Sequence, residues 1–187
     1  MDSPKSLKGR FLVAGPKLQD RNFFKTVVLM LEHSGDGAMG LVVNRPSSLS
    51  VANAVSGHIE IPDDGEAVFA GGPVEPADLF LLHEDRSLDG QSVEVVDDVF
   101  VTTAAPAFEK VLEPAAVPRA RRVLCGYAGW SPGQLENELR TGDWMSVEAT
   151  AEALFDTDPY ELWDELKADL TSRHRLVADG ATHPDWN

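Results

Sequence analysis

Two apolar runs dominate the hydrophobic pattern, VVLML at 27–31 and MGLVV at 39–43. Neither alternates with polar residues, so as strands both need cover on two faces, which puts the pair in the middle of a sheet. Asp36-Gly37 between them is the expected reversal, because type I′ turns need φ > 0. Pro46, with no N–H for a ladder, closes the second run. Shorter apolar runs at 11–14, 67–70, 79–83, 93–96, 99–103, 123–127 and 144–147 predict further strands. The stretch from 67 to 103, with turns at Asp89-Gly90 and Asp97-Asp98, reads as an antiparallel meander. Residues 47–50 and 59–65 read as loops, and 153–155 as a turn.

Helical spacing with end signals marks four places. Ser50 can cap a short helix over 51–56. Pro106 opens a helix over 106–113, with Phe108, Val111 and Leu112 on one face. Ser131, Pro132 and Gln134 read as N-cap, N1 and N3 of a capping box, with Leu135 and Leu139 one turn apart and Gly142 as the C′ residue. Asp158, Pro159 and Glu161 repeat that signal ahead of a Leu162, Leu166, Leu170 stripe widened by Trp163. Residues 114–118 (PAAVP) form a stiff connector. The expected fold class is α+β: a single domain with a large mixed, mostly antiparallel β-sheet and surrounding helices. Residues 1–9 form a flexible leader, 10–170 the domain and 171–187 a C-terminal extension without strong periodicity.

Charge narrows the partners. The formal net charge is −15 and is unevenly placed. Residues 1–46 hold seven Lys/Arg against four Asp/Glu, 47–130 five against fourteen, and 131–187 four against thirteen. Such a surface collects nucleic-acid phosphates poorly, and no basic helix-turn-helix is visible. Direct nucleic-acid binding is therefore not expected. No apolar run approaches the ~20 residues that cross a bilayer, and one cysteine, Cys125, leaves no intramolecular disulfide. Cytoplasmic residence without membrane attachment is the simplest expectation, and the oligomeric state is open.

Several residues could carry chemistry, and each has a structural alternative. Gly71 and Gly72, before Pro73, can bring backbone N–H groups near a ligand or simply allow a sharp exit from a strand. The turn from Gly126 to Gly133 leads into a helix, but its spacing is not that of a phosphate loop, and Pro132 and Ser131 remove donors. Cys125 lies in an apolar run, where a thiol behaves as a small hydrophobe. His33 and His83 each sit at a strand end beside a glutamate, without metal-ligand spacing. Asn44, Arg45, Trp130 and Gln134 lie at the ends of elements, where sites are usually built. The candidate ligand-binding set is thus Asn44, Arg45, Gly71, Gly72, His83, Trp130 and Gln134. No catalytic residue, metal ligand or cofactor is assigned.

The order FLVAGPKLQDRNFFKTVVLMLEHSGDGAMGLVVNRP, FAGGPV, LFLLHE, GYAGWSPGQLENEL, GDW, LFDTDP resembles the AlgH/YqgE family of bacterial proteins over residues 10–170; the last 17 residues lie outside the resemblance. That resemblance implies a single α+β domain with a large mixed sheet. It brings no catalytic residue. The family is largely uncharacterised, with some members labelled transcriptional regulators. Two readings follow: a non-enzymatic binding or regulatory protein acting through protein contacts, or an enzyme or small-ligand binder with a pocket at the strand ends.

Overall fold

The computed structural model describes residues 6–88, 90–113 and 120–180, with side chains as far as 173. The expected connector at 114–118, residue 89 of the expected Asp89-Gly90 turn, residues 1–5 of the leader and 181–187 of the extension lie outside the described residues. The chain runs β1 (Arg10–Ala14), β2 (Val27–Ser34), β3 (Gly37–Val42), β4 (Pro46–Ser50), α1 (Val51–Val55), β5 (Ala67–Ala70), β6 (Val74–His83), β7 (Val93–Val96), β8 (Val99–Thr102), α2 (Ala105–Leu112), β9 (Arg121–Trp130), α3 (Gln134–Thr141), β10 (Trp144–Glu148), α4 (Ala151–Phe155) and α5 (Leu162–Gly180). These strands make one curled, mostly antiparallel sheet with helices around it.

The sheet order is β10-β1-β2-β3-β9-β6-β8-β7. The β2–β3 hairpin lies inside it, and Val27 to Met30 are fully buried, as an unbroken apolar run requires. Its reversal differs from the expected one. The last pair is Ser34↔Gly37, so Gly35 and Asp36 form the turn, and neither takes a positive φ. Gly37 instead adopts φ +133° as the first residue of β3, where a Cβ would run into the carbonyl oxygen of Trp130. The glycine is there for the close approach of β9.

β9 is the strand on which the sheet turns. One edge pairs with β6 from Arg121 to Tyr127. The other edge pairs with β3 at Ala128–Trp130 and, in parallel, with β5 at Leu124 and Cys125. Gly71 sits at this fork: its N–H donates to the Cys125 carbonyl and its own carbonyl accepts from Val42. Gly126, at φ +70°, kinks β9 there, and β6 bulges by residues 75–78 between Val74↔Tyr127 and Leu79↔Cys125.

Other expectations change as well. Residues 47–50 are strand β4, paired with β5, not loop. The 67–103 region is not a simple meander: β8 pairs with β6 and β7 lies outside it, because the excursion after His83 carries the chain past before it returns. The segment at 153–155 is helical, in α4 capped by Thr150. The sheet then curls until the start of the chain meets β7. The Gly9 N–H donates to Met30, and a Cβ on Gly9 would strike the Val95 carbonyl.

Two cores result. The larger fills the curl and runs under α5 through Leu162 and Trp163. The smaller lies under α1 and α2, around Val55, Leu81, Phe108 and Val123. Among the described residues, no helix is long and apolar enough to cross a membrane.

Candidate functional site

At the Trp130 end of β9, a network joins four of the candidate residues. Trp130 Nε1–H donates to Glu138 Oε2 at 2.8 Å, and Trp144 Nε1–H donates to the same oxygen at 2.9 Å. Gln134 Nε2 donates to the other oxygen, Oε1, at 2.9 Å. Phe23 packs against both indoles, with ring centroids 6.3 Å from Trp130 and 5.6 Å from Trp144. Gln134 also reaches back to accept the Ser131 N–H at 3.0 Å, which is half of the expected capping box. The serine half is not made: α3 starts two residues late, with Gly133 at φ +74° as its cap and no side-chain cap bond. Gly142 ends α3 in the left-handed conformation, its N–H directed to Glu138 and Leu139.

Phe23 belongs to a turn held from the other side by Asn44 and Arg45. Asn44 Oδ1 accepts the Val27 N–H at 2.8 Å and its Nδ2 donates to the Lys25 carbonyl at 3.0 Å, so this buried amide completes the ladder at the start of β2. Arg45 donates to the carbonyls of Arg21, Asn22 and Phe24. Desolvation lowers the pKa of Arg45, with Asp20 working against it. Asn44, Arg45, Trp130 and Gln134 are thus linked through the turn at 20–26.

His83 is not part of that assembly. It pairs with Arg121, at the opposite end of β9 from Trp130. Nine residues separate those two positions, up to about 30 Å of strand, so one ligand-sized pocket does not include both. His83 is fully buried and stacked on Phe100. Its Nδ1 accepts the Asp85 N–H at 3.1 Å, which leaves the proton on Nε2 for Ser92 Oγ at 2.8 Å. Burial pushes its pKa down, and Asp85 offsets part of this. His33 repeats the pattern: Nδ1 accepts the Leu7 N–H at 3.1 Å and Nε2 faces Glu136 Oε1 at 3.0 Å. Glu136 is held below the usual carboxylate range, first by its own backbone N–H and then by His33. Gly71 and Gly72 lie against β9, and a Cβ on Gly72 would overlap the Tyr127 carbonyl. Cys125 is half-buried against the smaller core.

Three features lay outside the sequence reading. Glu138 shares a helix face with Gln134 at i+4 spacing, the one signal that could have found it. Arg122 is a buried guanidinium over the Phe69 ring at 4.3 Å, donating to the Val43 carbonyl at 2.6 Å, and desolvation lowers its pKa to about 10. It keeps its charge at neutral pH. The third feature is a groove of about 600 Å³ between α1, β6 and α2, lined by residues including Val55, Ile59, Asp78, Leu79, Phe108 and Glu109. A smaller cavity of about 280 Å³ opens at the mouth of the curl, with Lys8, Glu32 and Gln91 on its wall. Among the described residues, no three His, Cys, Asp or Glu side chains converge as metal ligands.

Comparison with known proteins gives a consistent answer. Residues 11–175 match the family model described as AlgH-like. A UPF0301 protein of Myxococcus xanthus is 42% identical over 163 residues, covering 86% of this chain and 88% of that protein. A UPF0301 protein of Photobacterium profundum is 38% identical over 174 residues, covering 88% and 92%. The solution structure of the AlgH protein from Pseudomonas aeruginosa superposes with a TM-score of 0.76 at 32% identity, covering 98% of this chain and 99% of that one. A crystal structure from Corynebacterium diphtheriae shares the fold, with a TM-score of 0.70 at 21% identity over 89% and 88% of the two chains.

Proposed function

This chain belongs to the AlgH-like family, and from that premise we propose that it is a non-enzymatic cytoplasmic binding protein that acts in regulation through contacts with other proteins. One observation carries the reading: the side chains best suited to chemistry are already engaged in holding the fold. A general base needs a lone pair aimed at its substrate. In His33 and His83 the Nδ1 lone pair takes a backbone N–H, and the other nitrogen faces Glu136 or Ser92. Glu138 bridges two indoles, and Arg45 holds three carbonyls of the turn at 20–26. The net charge of −15 supports contacts with proteins over direct contacts with nucleic acid, so any regulatory role runs through a partner. The test is a turnover screen across hydrolase, transferase and oxidoreductase substrates, with His33→Gln and His83→Gln beside the wild type. The expected result is no turnover that either substitution abolishes. Reproducible turnover lost with one imidazole would overturn the reading.

A second reading, a small-ligand binder at the strand ends, is favoured by the cavity at the mouth of the curl. Its wall combines Lys8, Glu32 and Gln91 with apolar Leu31, Met39 and Phe80, the mix expected of a ligand pocket. Mass spectrometry of material released on denaturing freshly purified protein tests it. A stoichiometric small molecule, lost in a Phe80→Ala variant that remains folded, would move the conclusion to this reading.

A further inference from the structure

Where β6 and β8 diverge, the sheet has an open edge beside a groove. The β6–β8 pairing ends at Leu81↔Thr102, and the chain then turns into α2 at Ala105. Among the described residues, β6 has no strand on that side from Val74 to Phe80. On its other side residues 75–78 make no ladder pair with β9, although Pro76 lies close against Gly126. The groove runs along this edge with α1 and α2 as walls and Val55, Ile59, Leu79 and Phe108 as an apolar floor. Asp78 and Glu109 lie on the rim with His58, and among the described residues no lysine or arginine lines it. Nearby Lys110 is engaged with Ser87 Oγ at 2.9 Å.

We propose that this groove docks an extended segment of a partner protein that alternates basic and apolar residues and adds along β6. The proposal rests on the reading of the chain as a protein-binding protein, and names the surface. An unpaired strand edge offers backbone donors and acceptors that an extended peptide matches and a small cation does not. The apolar floor receives alternate side chains, and the rim carboxylates face the basic ones between them. A second copy of this chain fits badly because it would bring Glu75 and Asp78 against like charges, whereas a short peptide can pair along Ala77 to Phe80, past Pro76, which has no N–H to share.

The probe is a synthetic seven-residue peptide alternating lysine and leucine, titrated by calorimetry at about 0.15 M salt, where long-range attraction is screened. A glutamate–leucine peptide and octylamine serve as comparisons. The lysine–leucine peptide is expected to bind and to shift the backbone amides of Ala77 to Phe80 and of Phe108. Asp78→Asn with Glu109→Gln weakens binding about 3–10-fold, the size expected for two exposed ion pairs. The charge-matched control, Glu152→Gln with Glu165→Gln on α4 and α5, weakens it by less than about twofold. Asp78→Lys with Glu109→Lys reverses the preference toward the glutamate–leucine peptide, an outcome that a merely damaged fold does not give. Equal weakening in the control, amide shifts elsewhere, octylamine binding as tightly in the groove, or no binding would each overturn the proposal. Failure here without turnover leaves the non-enzymatic reading standing, whereas turnover lost with an imidazole removes that reading itself.

Discussion

His83 and Asn44 show how a polar side chain comes to sit in an apolar interior. Each is satisfied at both ends, one between a backbone N–H and a serine, the other between an N–H and a carbonyl. For His83 this has a pH consequence. Its folded pKa lies below the ordinary 6.5, so the unfolded chain binds a proton that the folded chain refuses. The stability contributed by neutral His83 is whole above about 6.5 and falls away as the pH drops below it. The urea midpoint is therefore expected to be lower at about pH 5.5 than at about pH 7.5, and His83→Gln, which has no ionisable ring, makes that interval flatter. An unchanged slope would show that burial of this imidazole does not govern the loss. Asn44 offers a pH-independent comparison. Asn44→Ala leaves the Val27 N–H and the Lys25 carbonyl without their partner, which costs about 2–3 kcal/mol in denaturant unfolding. A loss under about 0.5 kcal/mol would mean that water replaces the amide.

At the level of elements, glycines decide where strands meet. Gly72 takes φ +154° with the Tyr127 carbonyl where a Cβ would stand, whereas Gly65 takes φ +82° with open space around it. Gly72→Ala combines backbone strain with overlap against β9 and is expected to cost about 2–4 kcal/mol. Gly65→Ala carries strain alone, about 1 kcal/mol. Equal losses by chemical denaturation would mean that the fork between β3, β5 and β9 is slack. This junction also shows what the sequence could reveal. The apolar runs at 27–31 and 39–43 announced their own burial, because period and composition are local. β4 did not, since PSSLS lacks an apolar face and forms a strand only because β5 lies beside it. The start of α3 slipped for a related reason: Pro132 and Gly133 form a turn of their own before the helix begins at Gln134. The order β6-β8-β7 was equally hidden, because adjacent runs give no sign of which neighbour a strand passes over.

Across the whole molecule, what brings side chains together is long-range. His33 meets Glu136 across 103 residues, and Trp163 donates to the Ala14 carbonyl across 149. Trp130 and Gln134 were visible as end-of-element residues, but their junction with Arg45 and Asn44 depends on how the sheet curls. The separation of His83 from Trp130 depends on the length of β9, which its apolar run at 123–127 understates by five residues. Charge acts at the same scale. The chain carries 31 acidic against 16 basic side chains. Its exposed ion pairs, such as Lys25 with Asp164 and Arg173 with Asp169, are each worth about 0–1 kcal/mol. Salt weakens those pairs, but it also screens the repulsion among the excess carboxylates, and the excess is the larger population. Raising NaCl from about 0.01 M to about 0.15 M shortens the screening length from ~30 Å to ~8 Å, so repulsion around the surface fades while near neighbours are less affected. The thermal midpoint is therefore expected to rise over that range at neutral pH. The rise shrinks when Asp/Glu pairs outside the ion pairs are neutralised, as in Glu152→Gln with Glu165→Gln. A midpoint that falls with salt would mean that the few attractive pairs outweigh the many repulsive ones.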